Sequence, residues 1–139
     1  MDFDTISELE TQMVFLLNLD NWQLKKCRDK YSIFDAYGYD YNGKKCVMEF
    51  KFRQEFYQTK MLEHKKYASL MGLNKYDKKY YCVIDSGGCH VYDLSQIDIS
   101  DKQKMDLPKK TITDNPEKKQ KEIYFLKNDK AIVYNYKFF

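Results

Sequence analysis

The stretch YSIFDAYGYDYNGKKCVMEFKFR, residues 31–53, decides the fold. It holds two runs of extended character around Asn42-Gly43, and Asn-Gly is among the strongest local signals for a β-hairpin. The spacing predicts an antiparallel pair, Tyr31–Tyr41 with Lys45–Arg53. The first run carries Asp35, and the second carries Glu49 and Lys51 two residues apart. Strand side chains alternate faces, so Val47, Glu49, Lys51 and Arg53 share one face. Met48, Phe50 and Phe52 point the other way and read as core. An apolar face backed by a Glu-x-Lys pair is the pattern expected of a metal-dependent active site.

On the N-terminal side, Thr5 to about Asn18 has helical periodicity. Thr5 and Glu8 fit a capping box, and Ile6, Leu9, Met13, Leu16 and Leu17 form an apolar stripe. Glu10 lies within or beside that stripe, where a carboxylate is costly unless it is paired, binds a metal or reaches water. Trp22–Cys27 reads as a short strand. On the C-terminal side, residues 55–72 read as a second helix, with Tyr57, Met61, His64, Ala68 and Met71 at helical spacing and Gly72 at its end. Lys60, Lys65 and Lys66 give that helix a basic flank. Lys79–Ile84 and Cys89–Leu94 form a second hairpin across DSGG. Ser95–Glu122 is polar and Lys-rich, with the expected character of a loop or substrate-contacting arm. Lys121–Leu126 and Ala131–Phe139 finish the chain as strands around Asn128-Asp129.

This order of elements predicts a mixed α/β (α+β) fold, a central sheet flanked by helices, in a single domain over residues 1–139. A hydrophobic fraction of 43% supports a real core, and 13 Tyr, 9 Phe and 1 Trp supply much of it. The net charge of +3 permits a nucleic-acid partner without demanding one. The longest apolar run, Met13–Leu17, is too short to span a bilayer, and MDFDTISELE lacks the plan of a signal peptide. The expectation is a soluble, cytoplasmic protein with no membrane partner. Cys27, Cys46, Cys82 and Cys89 form no C-x-x-C pair, which favours reduced thiols over a zinc site. His64 and His90 read as structural histidines. Tyr37, Tyr39 and Tyr41 alternate along one strand and fit either base stacking or, more ordinarily, a cross-strand aromatic ladder.

Asp35, a turn, and then Glu49-Phe50-Lys51 after apolar residues resembles the PD-(D/E)xK nuclease superfamily, with its restriction-endonuclease-like fold. The likeness covers roughly residues 5–94, and Phe34 stands where the family pattern has proline. More loosely, Lys66-Tyr67 and Leu107-Pro108-Lys109-Lys110-Thr111 resemble pairs and stretches in small phage-type nuclease-like proteins. The resemblance implies a metal-dependent phosphodiesterase acting on DNA as an endo- or exonuclease, with Mg2+ or Mn2+ as cofactor. Asp35, Glu49 and Lys51 would be catalytic, and Glu10, Asp35 and Glu49 would hold the metal. Lys65, Lys66 and Tyr67 would contact substrate, with further phosphate contacts from Lys60 and from Lys102 to Lys121. Many nucleases of this fold work as homodimers, because two sites are needed to cut two strands. The alternative is an inactive nuclease-like binding module or an inhibitor of a host or partner protein. The competing account of the Glu-x-Lys pair itself is a solvated strand face with a cross-strand ion pair.

Overall fold

The computed structural model describes residues 1–29, 31–97, 103–108 and 118–139. The chain runs α1 (Phe3–Leu19), β1 (Gln23–Lys26), β2 (Ala36–Tyr39), β3 (Lys45–Phe52), β4 (Thr59–Glu63), α2 (His64–Met71), β5 (Lys78–Asp85) and β6 (Gly88–Asp93). β7 (Gln103–Pro108), β8 (Lys118–Lys127) and β9 (Ile132–Tyr134) follow. Six strands form one sheet in the order β1-β2-β3-β5-β6-β9, and β4-β8-β7 form a second, three-stranded sheet. β3 and β5 pair in parallel, and the other neighbours pair antiparallel. The fold is thus mixed α/β, with a central mixed sheet.

The hairpin forms, although β2 covers only Ala36–Tyr39 of the expected Tyr31–Tyr41 and the turn is wider than the Asn-Gly dipeptide. Asp40 organises it: its Oδ1 accepts from the N–H of Asn42 at 2.9 Å and of Lys44 at 2.8 Å. Gly43 supplies the left-handed step, with φ +76°.

β3 is buried on both faces, which departs from the solvated strand face of the competing account. Met48 and Phe50 join Met13 and Leu17 of α1 in one core, with Trp22, Cys82 and Ile84. On the other face Val47 joins a second core with Leu62 of β4, Leu70 of α2, Tyr81, Val83 and Tyr124. A parallel, central strand covered on both sides takes a nearly continuous apolar run, and KCVMEFKF fits that pattern with Glu49 and Lys51 as its polar interruptions.

Three further boundaries differ from expectation. α1 begins at Phe3, and Asp2 caps it by accepting from the Thr5 N–H at 2.8 Å, so Thr5 and Glu8 form no capping box. Residues 55–72 are not one helix: Thr59–Glu63 is strand β4, and only His64–Met71 is helical. Every residue of β4 pairs with β8, from Thr59 opposite Lys127 to Glu63 opposite Ile123, so a partner some sixty positions away overrides the local periodicity. The Lys-rich segment holds β7 and the start of β8, and β8 and β9 lie in different sheets rather than forming a final hairpin. Among the described residues no helix is long and apolar enough to cross a membrane.

Candidate active site

Asp35 stands one residue before β2 and extends the ladders on both sides. Its N–H donates to Met48 O at 3.0 Å, and its C=O accepts from the Cys27 N–H at 2.7 Å. The regular register ends at Ala36 opposite Met48, and Asp35, bonded to that same Met48 carbonyl, stands just beyond it with its side chain beside Glu49. Beyond that point β3 has no backbone partner on the β2 side. The Phe50 N–H is satisfied instead by Asp35 Oδ2 at 2.8 Å. The first acid is therefore held by the end of the very strand that carries the second.

Glu10 reaches the same place from α1. The side chain of Asp35 lies within hydrogen-bonding reach of both Glu10 and Glu49. Glu10 is pushed up to about 8, first by burial and then by the neighbouring Asp35, with Lys26 opposing. Glu49 is also pushed up to about 8, by burial and then by Asp35, against the pull of Lys66. The three carboxylates form a crowded, half-buried cluster that favours bound protons or a cation.

Lys51 follows Glu49 on the same strand face and is half-buried. Burial lowers its proton affinity, Arg53 lowers it further, and Glu63 and Glu49 oppose. Lys66 of α2 forms an ion pair with Glu49 at 3.3 Å, so that lysine does arrive at the acids. Lys65, one residue earlier on α2, is exposed. Tyr67 packs edge-on against Tyr124 at 5.4 Å between ring centroids and belongs to the second core.

A cleft of about 1980 Å3 takes in Glu10, Asp35, Glu49 and Lys51 together, and Lys65, Lys66 and Tyr67 do not line it. Lys25, Lys26, Arg28 and Arg53 stand along its walls. Lys26 had no signal in the sequence beyond its place in a strand. Its Nζ donates to Ser7 O at 2.9 Å and to Ser7 Oγ, tying β1 to α1 beside Glu10.

Lys60 is placed quite differently from the phosphate contact expected of it. It is fully buried, donating to Asp85 Oδ2 at 2.7 Å and to the Tyr57 carbonyl, with its ammonium over the Phe56 ring. Lys121 pairs with Glu63 at 3.1 Å. Lys102 and Lys109-Lys110-Thr111 lie outside the described residues.

Among the described residues no three His, Cys, Asp or Glu side chains form a ready-made metal cage. The donors nevertheless suit a hard cation. Mg2+ binds through one or two carboxylates, with waters and substrate phosphates completing its shell, rather than through an all-protein cage. Asp35 and Glu49, side by side in a site with excess negative charge, meet that requirement.

No protein-family profile matches the chain. No curated protein matches it by sequence. Among solved structures it is similar to a Holliday junction resolvase from the archaeal hyperthermophile Archaeoglobus fulgidus, with a TM-score of 0.55 and 9% identity over 88% of this chain and 94% of that one. At that identity the likeness is one of fold alone, and the fold is restriction-endonuclease-like.

Proposed function

We propose that this chain is a metal-dependent phosphodiesterase that hydrolyses DNA. The observation that carries the reading is the convergence of Glu10, Asp35, Glu49 and Lys51 on one open cleft, from a helix and two strands. Asp35 and Glu49 would hold Mg2+ or Mn2+, and Glu10 would take part in the shell. When bound, the cation supplies a more acidic water and neutralises charge developing on the phosphate. Hydrolysis adds water to phosphorus, breaks the bond to the leaving oxygen and returns a proton to that oxygen. The Phe50 N–H fixes the Asp35 carboxylate, so its oxygens are oriented before substrate arrives. Lys51, on the face of Glu49, presents an ammonium to the phosphate oxygens. Lys25, Lys26, Arg28 and Arg53 give the walls the charge that a polyanion requires.

The test incubates the protein with single- and double-stranded DNA and Mg2+ or Mn2+, beside a Glu49→Ala, Lys51→Ala double variant. The wild type is expected to cut and the variant to leave DNA intact. Equal cutting by both, or by neither, overturns the catalytic reading. The second reading is a non-catalytic binding module of this fold or an inhibitor of a partner protein. Calorimetric titration with Mn2+ separates the two, since only the enzyme needs the metal.

A further inference from the structure

The sheet face that carries Asp35 and Glu49 continues past the cleft. Over β3 and β5 it is covered by α2 and the second sheet, where Val47, Leu62, Leu70 and Tyr81 are buried together. Over β1 and β2 it lies open: Tyr37 is 38% and Tyr39 47% exposed. The strand register sets Tyr37 between Lys25 and Val47, and Tyr39 between Gln23 and Lys45. Their cross-strand neighbours are thus not aromatic, and the expected aromatic ladder does not form. Tyr41, third in the alternation, turns away to meet Trp22 edge-on at 5.4 Å.

Tyr76 borders the same open face. Phe34 touches the rings of both Tyr37 and Tyr76 edge-on, at 6.2 and 5.6 Å, and so braces them. Lys45 stands 5.3 Å and Lys75 6.0 Å from the centre of the Tyr76 ring. Among the described residues Lys25, Lys45 and Lys75 form no ion pair. These three tyrosines and three lysines line a hollow of about 600 Å3 that shares Lys25 and Tyr37 with the acidic cleft.

The two exposed rings, Tyr37 and Tyr39, interleaved with lysines that are unpaired among the described residues, have the chemistry of a single-stranded nucleic-acid track, in which bases stack on rings and ammonium groups meet phosphates. Residues two apart on a strand are separated by ~7 Å. Stacked bases in one DNA strand are ~3.4 Å apart. A base meets each ring only when it is drawn out of its stack, and a duplex keeps its base faces covered. We infer that this face binds an unpaired stretch of DNA, with bases on Tyr37 and Tyr39 and phosphates on Lys25, Lys45 and Lys75, the last two gathered at Tyr76, and leads that strand into the acidic cleft. The inference rests on the nuclease reading for the strand's destination, and on the open sheet face for its binding.

The probe is a fluorescein-labelled oligothymidylate, with a duplex of equal length for comparison, titrated by fluorescence anisotropy in EDTA so that no cutting occurs. The wild type is expected to prefer the single strand. Tyr37→Ala with Tyr39→Ala should weaken oligothymidylate binding about tenfold per ring and leave duplex binding unchanged. Tyr37→Phe with Tyr39→Phe should keep the affinity, because the ring is what stacks. Lys25→Ala with Lys45→Ala should weaken binding and flatten its salt dependence. An unchanged affinity in the Tyr→Ala pair, or an equal loss on duplex, overturns the track. The nuclease reading fails separately: a wild type that binds oligothymidylate but cuts nothing in Mg2+ sinks catalysis and leaves the track standing.

Discussion

Replacing Glu49 by Gln should stabilise the metal-free protein at alkaline pH. The Glu49 carboxyl rises from an ordinary value of 4.5 to about 8 on folding, because it is buried and faces Asp35. A raised acid means that the folded chain binds the proton more tightly than the unfolded chain does. Its contribution to stability is therefore fully present below about pH 4.5 and is lost as the pH climbs to about 8. Each tenfold change in proton affinity is worth ~1.4 kcal/mol, which sets a ceiling of ~5 kcal/mol. Asp35 is shared with Glu10, and Lys66 already offsets part of the repulsion, so a gain of about 2 kcal/mol is the reasonable expectation. Gln keeps the shape and a hydrogen bond to Asp35 and does not titrate. It leaves Lys66 without its partner, a small loss for a side chain that is 37% exposed. Urea denaturation followed by circular dichroism in EDTA, at a series of pH values, measures the effect. Wild type and Glu49→Gln should coincide near pH 5 and diverge towards pH 9, with the variant the more stable. Mg2+ should then stabilise the wild type at pH 9 more than the variant. Parallel pH profiles would refute the account of a strained carboxylate cluster.

The Lys60–Asp85 pair has side chains 1% and 0% exposed, so Asp85→Ala should cost about 3–5 kcal/mol by stranding a buried ammonium. Lys60→Met combined with Asp85→Leu should recover most of that loss in the same denaturation assay. Cysteine alkylation offers an independent check on burial. Cys27 is the one partly exposed thiol, burial pushes Cys46 up to about 12, and burial raises Cys82 as well. Iodoacetamide at pH 8 should therefore label the native protein at Cys27 alone and all four cysteines in urea, as read by intact mass.

The parts of this fold that could be read from sequence are those with local causes. The hairpin of β2 and β3 follows from its turn residues and alternation, but the contact of Asp35 with Glu49 does not, because a two-residue Asn-Gly turn would shift the register by one and turn the two acids to opposite faces. Glu10 was visible as a carboxylate out of place on an apolar stripe, and it does lie beside Asp35. What could not be read has distant causes. TKMLE of β4 looks helical by spacing, yet becomes a strand because β8 returns to pair with it. Lys60 looked like one more surface lysine until that strand turned it towards Asp85. The covering of the Glu49 face by α2 and β4 is likewise tertiary, and it turns a commonplace charge pair into a half-buried one. Lys26 gave no sign of its role because its partners, Ser7 and Thr11, belong to a different element.

Trp22 carries a consequence for how folding can be watched. It is the sole tryptophan, it is 1% exposed, and its indole N–H donates to the Tyr134 hydroxyl at 2.9 Å across 112 positions of sequence. Tyr80 and Tyr41 stand edge-on around it at 4.9 and 5.4 Å. Its emission is therefore an intrinsic reporter of the closing of this core, where β5 and β9 come against the start of the chain. The Asp40–Lys44 turn is local and needs no such long closure. Stopped-flow fluorescence at this single indole would then time the end of folding, after the strands that bear the acids have already met.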